Sequence, residues 1–281
     1  MRIGTHVSIY NGIFNAPKNA SVVGAEVFQI FTRSPLGGPV PPITETIVKK
    51  FKSEMKKYKL DTFYIHAPYF INLASDKNNV FFGSVSVIKQ ELERGSLLGA
   101  KAVITHLGSF GQLKDEEGID RVASGINKIL DDYIGSTQLY LEMSAGAGRI
   151  VGDSFEEIAK IITHPKIKKY KLNVCFDTCH AFASGYDLRD PLSVKQTFAK
   201  FEKIIGMGRL KVFHVNDSKG DLGQNLDRHD HIGKGKIGLE GFKAMLKNKD
   251  LSKLDWILET PKHFSKDDPK NIKILRKLAK I

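Results

Sequence analysis

Nine side chains of metal-binding type close or follow six apolar runs: His66 in FYIHAPY, His106 in AVITHLG, Glu142 in LYLEMSAG, Asp177 and His180 in LNVCFDTCH, His214 in KVFHVNDS and Glu259 in WILETP, with Asp227 and His229 in the intervening DRH. Imidazole together with carboxylate suits zinc, manganese or iron. A lone histidine at a strand end is more often packed or hydrogen-bonded than coordinated, but recurrence at six such ends reverses that reading. Glu142 and Glu259 follow LYL and WIL, where an acid is costly to bury unless paired or metal-bound. Asp177 and His180 lie three apart across a strand-to-loop turn. Asp227 and His229 lie two apart, so they project the same way from an extended loop. Nine donors are too many for one ion, because a catalytic zinc usually takes three protein ligands plus water. They suffice for three ions, with one carboxylate available to bridge. Two ions about 3.5–4 Å apart can generate a hydroxide and clamp both ends of a phosphoryl displacement. A third can neutralise the leaving alkoxide.

The elements that must position these residues recur through the whole chain. Eight strand-like runs, 2–7, 26–31, 61–66, 102–106, 138–142, 172–177, 210–216 and 254–259, follow one another after the first at roughly 35–45 residue steps. Helical spacing lies between them at 80–98, stopped by Gly99, at 155–162 behind Asp153-Ser154, and at 192–205 and 239–246. The last segment, 271–281, alternates Ile and Leu with Lys and predicts an amphipathic helix with a basic outer face. This is the pattern of a single (β/α)8 TIM barrel over residues 1–281, whose active site occupies the carboxyl rim of the strands. The Pro/Gly-rich segment Ser34–Pro42 and the long loop 216–238 read as rim loops.

Composition agrees with that architecture. The chain has 281 residues, 41% hydrophobic and 26% charged, enough for one large buried core. A formal net charge of +12 favours a polyanionic partner such as nucleic acid. The plainer explanation is a Lys-rich surface kept soluble by repulsion. Charge and donor count together point to phosphodiester hydrolysis on nucleic acid. The two cysteines, Cys175 and Cys179, offer no disulfide framework, which fits a reducing cytoplasm. No apolar run approaches the roughly 20 residues needed to cross a membrane, and the start lacks the apolar core of a signal peptide. No apolar face calls for a partner subunit, so a monomer is expected.

Weaker signals surround the main set. Neither a Walker-type phosphate loop nor GxGxxG is present. Cys179 is a candidate thiolate ligand more than a nucleophile, and Cys175 shares the strand face of Asp177. His6 either supports the site or packs in the core. His231 is an alternative to His229, whereas His164 and His263 read as uninvolved.

At these residues the chain resembles the endonuclease IV family of apurinic/apyrimidinic endonucleases, within the xylose isomerase-like TIM barrels. The likeness runs from GTHVSIYNGIFNA to LETP and is most specific in IHAPYFINLAS, FDTCHAFASGYDL and HVNDSKGDLGQNLDRHDHIGKGKIG. It implies a TIM barrel holding three zinc ions, with manganese an alternative at one site. His66, His106 and Glu142 match the first ion's ligands. Glu142, Asp177, His214 and Glu259 match the second's, with Glu142 bridging, and His180, Asp227 and His229 match the third's.

The resemblance implies hydrolysis on the 5′ side of an abasic site in double-stranded DNA during base excision repair, leaving a 3′-hydroxyl and a 5′-deoxyribose phosphate. Glu142 would orient or deprotonate the attacking hydroxide, and the third zinc would stabilise the departing 3′-oxygen. An abasic nucleotide has no base to unstack, so extruding it is cheap. Tyr69 and Phe70 match the family's wedge into the gap, with Phe70 replacing an aliphatic residue. The stretch after FT is polar and carries Arg and Trp in the family; here it is RSPLGGPVPP, a departure that bears on damage recognition more than on chemistry. Arg33 and Arg228 are the remaining candidate DNA contacts. Two other readings stand beside this one: a metal-dependent sugar isomerase or epimerase on a related barrel, and a non-catalytic binder of damaged DNA. Aldose turnover would identify the former, and cleavage of abasic duplex would exclude the latter.

Overall fold

A computed structural model describes residues 1–262 and 265–280. His263, set aside above, lies outside the described residues. The strands are β1 (Arg2–His6), β2 (Phe28–Ile30), β3 (Phe63–His66), β4 (Ala102–Thr105), β5 (Gln138–Glu142), β6 (Asn173–Asp177), β7 (Leu210–His214), β8 (Asp217–Ser218), β9 (His229–Asp230) and β10 (Asp255–Leu258). Eight of them close into a parallel barrel in the order β1-β10-β7-β6-β5-β4-β3-β2, while β8 and β9 form an antiparallel ribbon. Each of the eight runs read from the sequence contains one barrel strand.

The helices are α1 (Ala16–Val22), α2 (Glu45–Lys57), α3 (Asn78–Leu98), α4 (Asp115–Leu130), α5 (Phe155–Ile162), α6 (Thr178–Ala183), α7 (Pro191–Ile204), α8 (Gly238–Lys247) and α9 (Asp267–Ala279). Ser154 caps α5 by accepting from Glu157 N, and Asp190 caps α7 ahead of Pro191 at its first turn. Gly99 ends α3 in the left-handed region, at φ 87°. Among the described residues no helix is long and apolar enough to cross a membrane.

Strand side chains alternate across the barrel wall. Phe28, Ile65, Leu141, Phe176, Phe213 and Trp256 face outward into the layer beneath the helices. Val27, Tyr64, Ala102, Ile104, Tyr140, Cys175, Val212 and Ile257 fill the interior as a separate apolar plug. Continuing that alternation one step toward the carboxyl ends brings His6, Gln29, His66, His106, Glu142, Asp177, His214 and Glu259 inward, one from each barrel strand or its next residue. The layer above the plug is therefore wholly polar. Gly4 is required where β1 passes β2: a Cβ there would lie 1.5 Å from the Val27 carbonyl oxygen.

At the opposite end, buried Asp255 accepts from Arg2 Nε and Nη2 at 2.8 and 2.9 Å and from the Tyr64 hydroxyl at 2.6 Å. This closes the floor far from the rim. Tyr64→Phe is expected to cost roughly 1–3 kcal/mol of stability in urea unfolding, because a buried carboxylate oxygen loses a donor. Catalytic activity should not change. Lost activity with unchanged stability would contradict this division of the barrel.

Candidate metal centre

The polar top layer converges on Glu142, which is fully buried. Its Oε2 faces His66 Nε2 at 2.9 Å and His106 Nε2 at 3.4 Å. Its Oε1 faces His214 Nδ1 at 2.7 Å. The two oxygens of one carboxylate thus address two different groups of donors. Glu142, Asp177, His214 and Glu259 offer one ligand atom each within 4.8 Å of one another. His180, Asp227 and His229 form another such group: His180 Nε2 lies 3.3 Å and His229 Nε2 3.4 Å from Asp227 Oδ1. His66 and His106 meet at the same Glu142 oxygen, but no single group of that radius holds them both with it.

The orientation of the rings tests whether a cation fits. His66 Nδ1 lies 2.6 Å from the Ala67 carbonyl, His180 Nδ1 2.9 Å from the Met143 carbonyl, and His229 Nδ1 3.1 Å from the Glu259 carbonyl. A carbonyl only accepts, so each Nδ1 carries the proton and each Nε2 turns its lone pair into the site. His180 Nε2 and His229 Nε2 then face each other at 3.4 Å, an arrangement that needs a shared cation or proton between them. Three carboxylates, Glu142, Asp177 and Glu259, share the central group. Each such pair near 5 Å repels by about 3 kcal/mol at an effective dielectric near 20, which positive charge must offset. The donor set fits divalent metal. His106 Nδ1 is buried without a hydrogen-bond partner among the described residues.

Local structure holds these donors in place. Asp177 ends β6 and also caps α6, accepting from His180 N at 2.9 Å, so the link read as a strand-to-loop turn is a strand running directly into a helix. Asn216 donates from Nδ2 to Asp177 Oδ2 at 2.7 Å and accepts from Glu259 N at 2.8 Å, tying two donors together. The neighbouring Asp217 carboxylate is buried and accepts from the backbone of Gly233, Ile237 and Gly238. It folds the long rim loop back on itself. Gly235 is obligatory there: a Cβ would fall 2.3 Å from the Ser218 carbonyl oxygen. The β8–β9 ribbon, with Lys219 N bonded to the Arg228 carbonyl, presents Asp227 and His229 together to His180.

Other expectations resolve as follows. His231 is turned to Asn271 of α9, 3.0 Å away, and belongs to none of the donor groups, so it is no substitute for His229. Cys179 lies within ligand reach of Asp177 and His229, and burial pushes its thiol well up. Cys175 faces the barrel interior, its thiol pushed up to about 12 by burial. Arg33 does not reach outward to phosphate as expected. Its side chain is buried, with Nε on Glu91 Oε1 at 2.5 Å and Nη2 on Gln90 at 3.0 Å. Arg94 of α3 clamps both ends of the adjoining rim loop, donating to the carbonyls of Thr32 and Pro41.

A cleft of about 890 Å³ opens over the centre, lined by Tyr69, Phe31, Lys219, Arg228 and Lys262 among others. Tyr69 lines this cleft and is exposed, whereas Phe70, the next residue, is exposed but does not line it; Tyr69 N donates to the Pro35 carbonyl of the rim loop. Burial, with Glu259 and Glu142, pushes the Tyr69 hydroxyl up to about 12, so it keeps its proton as a donor. Lys219 and Lys262 are inconspicuous in the sequence, being two among many lysines. Gln29 does leave a signal there, a lone polar residue in FQIF.

Among these acids and imidazoles, charge is balanced by proton sharing. Burial lowers the His180 and His214 pKa values, yet Asp177 and Asp227 beside His180, and Cys175 with Glu259 and Glu142 beside His214, outweigh it and raise both well above the ordinary value. His66 is raised in the same way, chiefly against burial by Glu142. Burial lifts Glu142, but His106, His214 and His66 hold it well below the carboxylate range. Burial also lifts Asp227, and His180 and His229 bring it down to about 2. A histidine raised in the folded state contributes stability fully below the unfolded value near 6.5, and loses it as pH rises through the folded value. Chelator-treated protein is therefore expected to lose thermal stability from about pH 6.5 upward, and zinc addition near pH 7 should release protons. A melting temperature flat from pH 6 to 9, or no proton release, would contradict this.

Comparison with known proteins agrees with this geometry. The model of the xylose isomerase-like TIM barrel family matches residues 17–279. A protein named probable endonuclease 4 from Nitrosopumilus maritimus is 41% identical over 99% of this chain and 100% of its own length. The crystal structure of endonuclease IV from Thermus thermophilus superposes with a TM-score of 0.87 at 32% identity, covering 100% of this chain and 99% of that one. A D-tagatose 3-epimerase-like protein shares the fold at a TM-score of 0.75, with 21% identity over 100% of this chain and 97% of its own. The ribbon-borne donors, the shared carboxylate and full-length similarity converge: the chain belongs to the endonuclease IV family of the xylose isomerase-like TIM barrels.

Proposed function

We propose that this chain, working as one barrel domain over residues 1–281, is a zinc-dependent DNA repair endonuclease. It hydrolyses the phosphodiester 5′ to abasic sites in double-stranded DNA and leaves a 3′-hydroxyl and a 5′-deoxyribose phosphate, in base excision repair. The observation that carries this reading is Glu142, with Oε2 turned to His66 and His106 and Oε1 to His214. A carboxylate shared in this way has no use in a protein that only binds. His66 and His106 would hold one ion with Glu142; Asp177, His214 and Glu259 a second, again with Glu142; and His180, Asp227 and His229 a third. Zinc suits all three sets, and manganese is an alternative at one. Such ions supply Lewis acidity that makes water nucleophilic at neutral pH and offset charge on phosphoryl and leaving oxygens.

The chain's own groups do the rest. Glu142, buried behind His66, His106 and His180 of the cleft wall, orients or deprotonates the attacking water. Lys219 and Arg228, both exposed at its wall, meet backbone phosphates. Tyr69 and Phe70 fill the space left by the missing base, supported from behind by the rim loop. The net charge of +12 favours a DNA partner. Free, buried Cys175 and Cys179 suit a reducing cytoplasm, and a monomer suffices, since every proposed ligand comes from one chain.

Glu142→Gln is expected to cut cleavage of abasic duplex by at least ~10²–10⁴-fold while the duplex is still bound. Retained turnover would remove Glu142 from the chemistry. Phe70→Ala is expected to weaken binding of abasic duplex roughly 5- to 150-fold, the loss of about 1–3 kcal/mol of stacking, with metal content unchanged. Equal affinity of the two proteins in a fluorescence anisotropy titration would sink the wedge assignment.

A further inference from the structure

The polar top layer of the barrel contains two side chains, His6 and Gln29, that belong to none of the metal-type donor groups. Gln29, on β2, is completely buried. Its Nε2 lies 2.5 Å from Glu259 Oε1 and 3.0 Å from His6 Nδ1, and its Oε1 lies 2.9 Å from His214 Nε2. A carboxylate only accepts, so the amide nitrogen must face Glu259, which leaves the amide oxygen facing His214. An amide oxygen also only accepts, so His214 must carry its proton on Nε2. The lone pair is then on Nδ1, which is the atom turned to Glu142 at 2.7 Å and to Glu259 at 3.3 Å. The second amide hydrogen goes to His6 Nδ1, which accepts, and His6 in turn rests against Phe31 with ring centroids 4.4 Å apart.

The geometry points to Gln29 as the positioning residue for the second metal set: one amide selects the Nδ1-coordinating tautomer of His214 and fixes the carboxylate of Glu259. This inference rests on the metal reading proposed above. It also accounts for a departure within the site. His66, His180 and His229 present Nε2 inward because a backbone carbonyl holds Nδ1. His214 presents Nδ1 because a side chain from another strand holds Nε2. Removing an outer partner of a metal ligand typically weakens metal binding by about 10–100-fold.

The test is zinc competition against a chromogenic chelator, with wild-type protein, Gln29→Met and Gln29→Leu, alongside histidine ¹H–¹⁵N spectra of the zinc-loaded wild type. The variants should lose one class of zinc at about 10–100-fold lower chelator strength. The His180–Asp227–His229 ion should hold as before, while metal-free melting temperatures should fall in both variants, because buried His214 and Glu259 each lose a hydrogen-bond partner. The wild-type spectrum should show His214 protonated at Nε2. Variant zinc curves superimposable on wild type would overturn the assignment and leave the proposed function standing. So would a wild-type His214 coordinated through Nε2, a result that does not depend on the variants folding. No zinc on wild-type protein would overturn the metal reading itself, and this inference with it.

Discussion

A fully buried carboxylate at the centre of the barrel mouth, Glu142, is the constraint around which the rest of the site is arranged. Burying an unpaired carboxylate would force it to protonate or unfold the strand end that carries it. Here every direction it can face is filled by imidazole: His66, His106, His180 and His214 all approach its oxygens within 3.5 Å. Those rings are costly to bury in their turn. Further carboxylates, Asp177, Glu259 and Asp227, balance them, and the result is a network in which acids and imidazoles alternate. Such a network is stable in two ways, by sharing protons or by sharing cations, and metal binding exchanges one for the other.

The barrel makes this arrangement cheap. Period-two alternation gives every strand an inward position near its carboxyl end, so eight polar groups can sit directly on an apolar plug. Where the ligand set exceeds what strand ends supply, the chain adds a ribbon. Buried Asp217 gathers three backbone amides to make the long loop a rigid platform for Asp227 and His229. Asp177 serves two purposes in one position, as the cap of α6 and as a donor in the site. Catalytic geometry is thus inherited from elements that the fold requires anyway.

Much of this is legible in the residues. The eight strands are visible because β-branched and aromatic residues alternate toward a polar terminus, and α5 is visible from its cap to its last turn. Helix α4 does not stand out, since Gly118 and Gly125 weaken its local signal. Both glycines answer to packing: a Cβ at Gly118 would fall 2.0 Å from the Phe110 ring, and one at Gly125 3.1 Å from Leu73. Helix α6 is hidden because its cap, Asp177, is the last residue of a strand. The inward turn of Arg33 is illegible because its partner, Glu91, is 58 residues away. Gln29 shows the same limit, its role set by partners on β1, on β7 and just after β10. Residue type and spacing pick out side chains that the barrel brings together, but which nitrogen each histidine turns inward is decided by contacts that only the folded barrel supplies.

The central claim is that these donors hold metal that cleaves DNA at a missing base. It is tested most directly by incubating the purified protein, with and without chelator pretreatment, with a duplex carrying one synthetic abasic site, and analysing the ends produced. The account requires a single nick 5′ to the site, leaving a 3′-hydroxyl and lost after chelation. An intact duplex from protein that retains its zinc, or a nick indifferent to chelator, would contradict it.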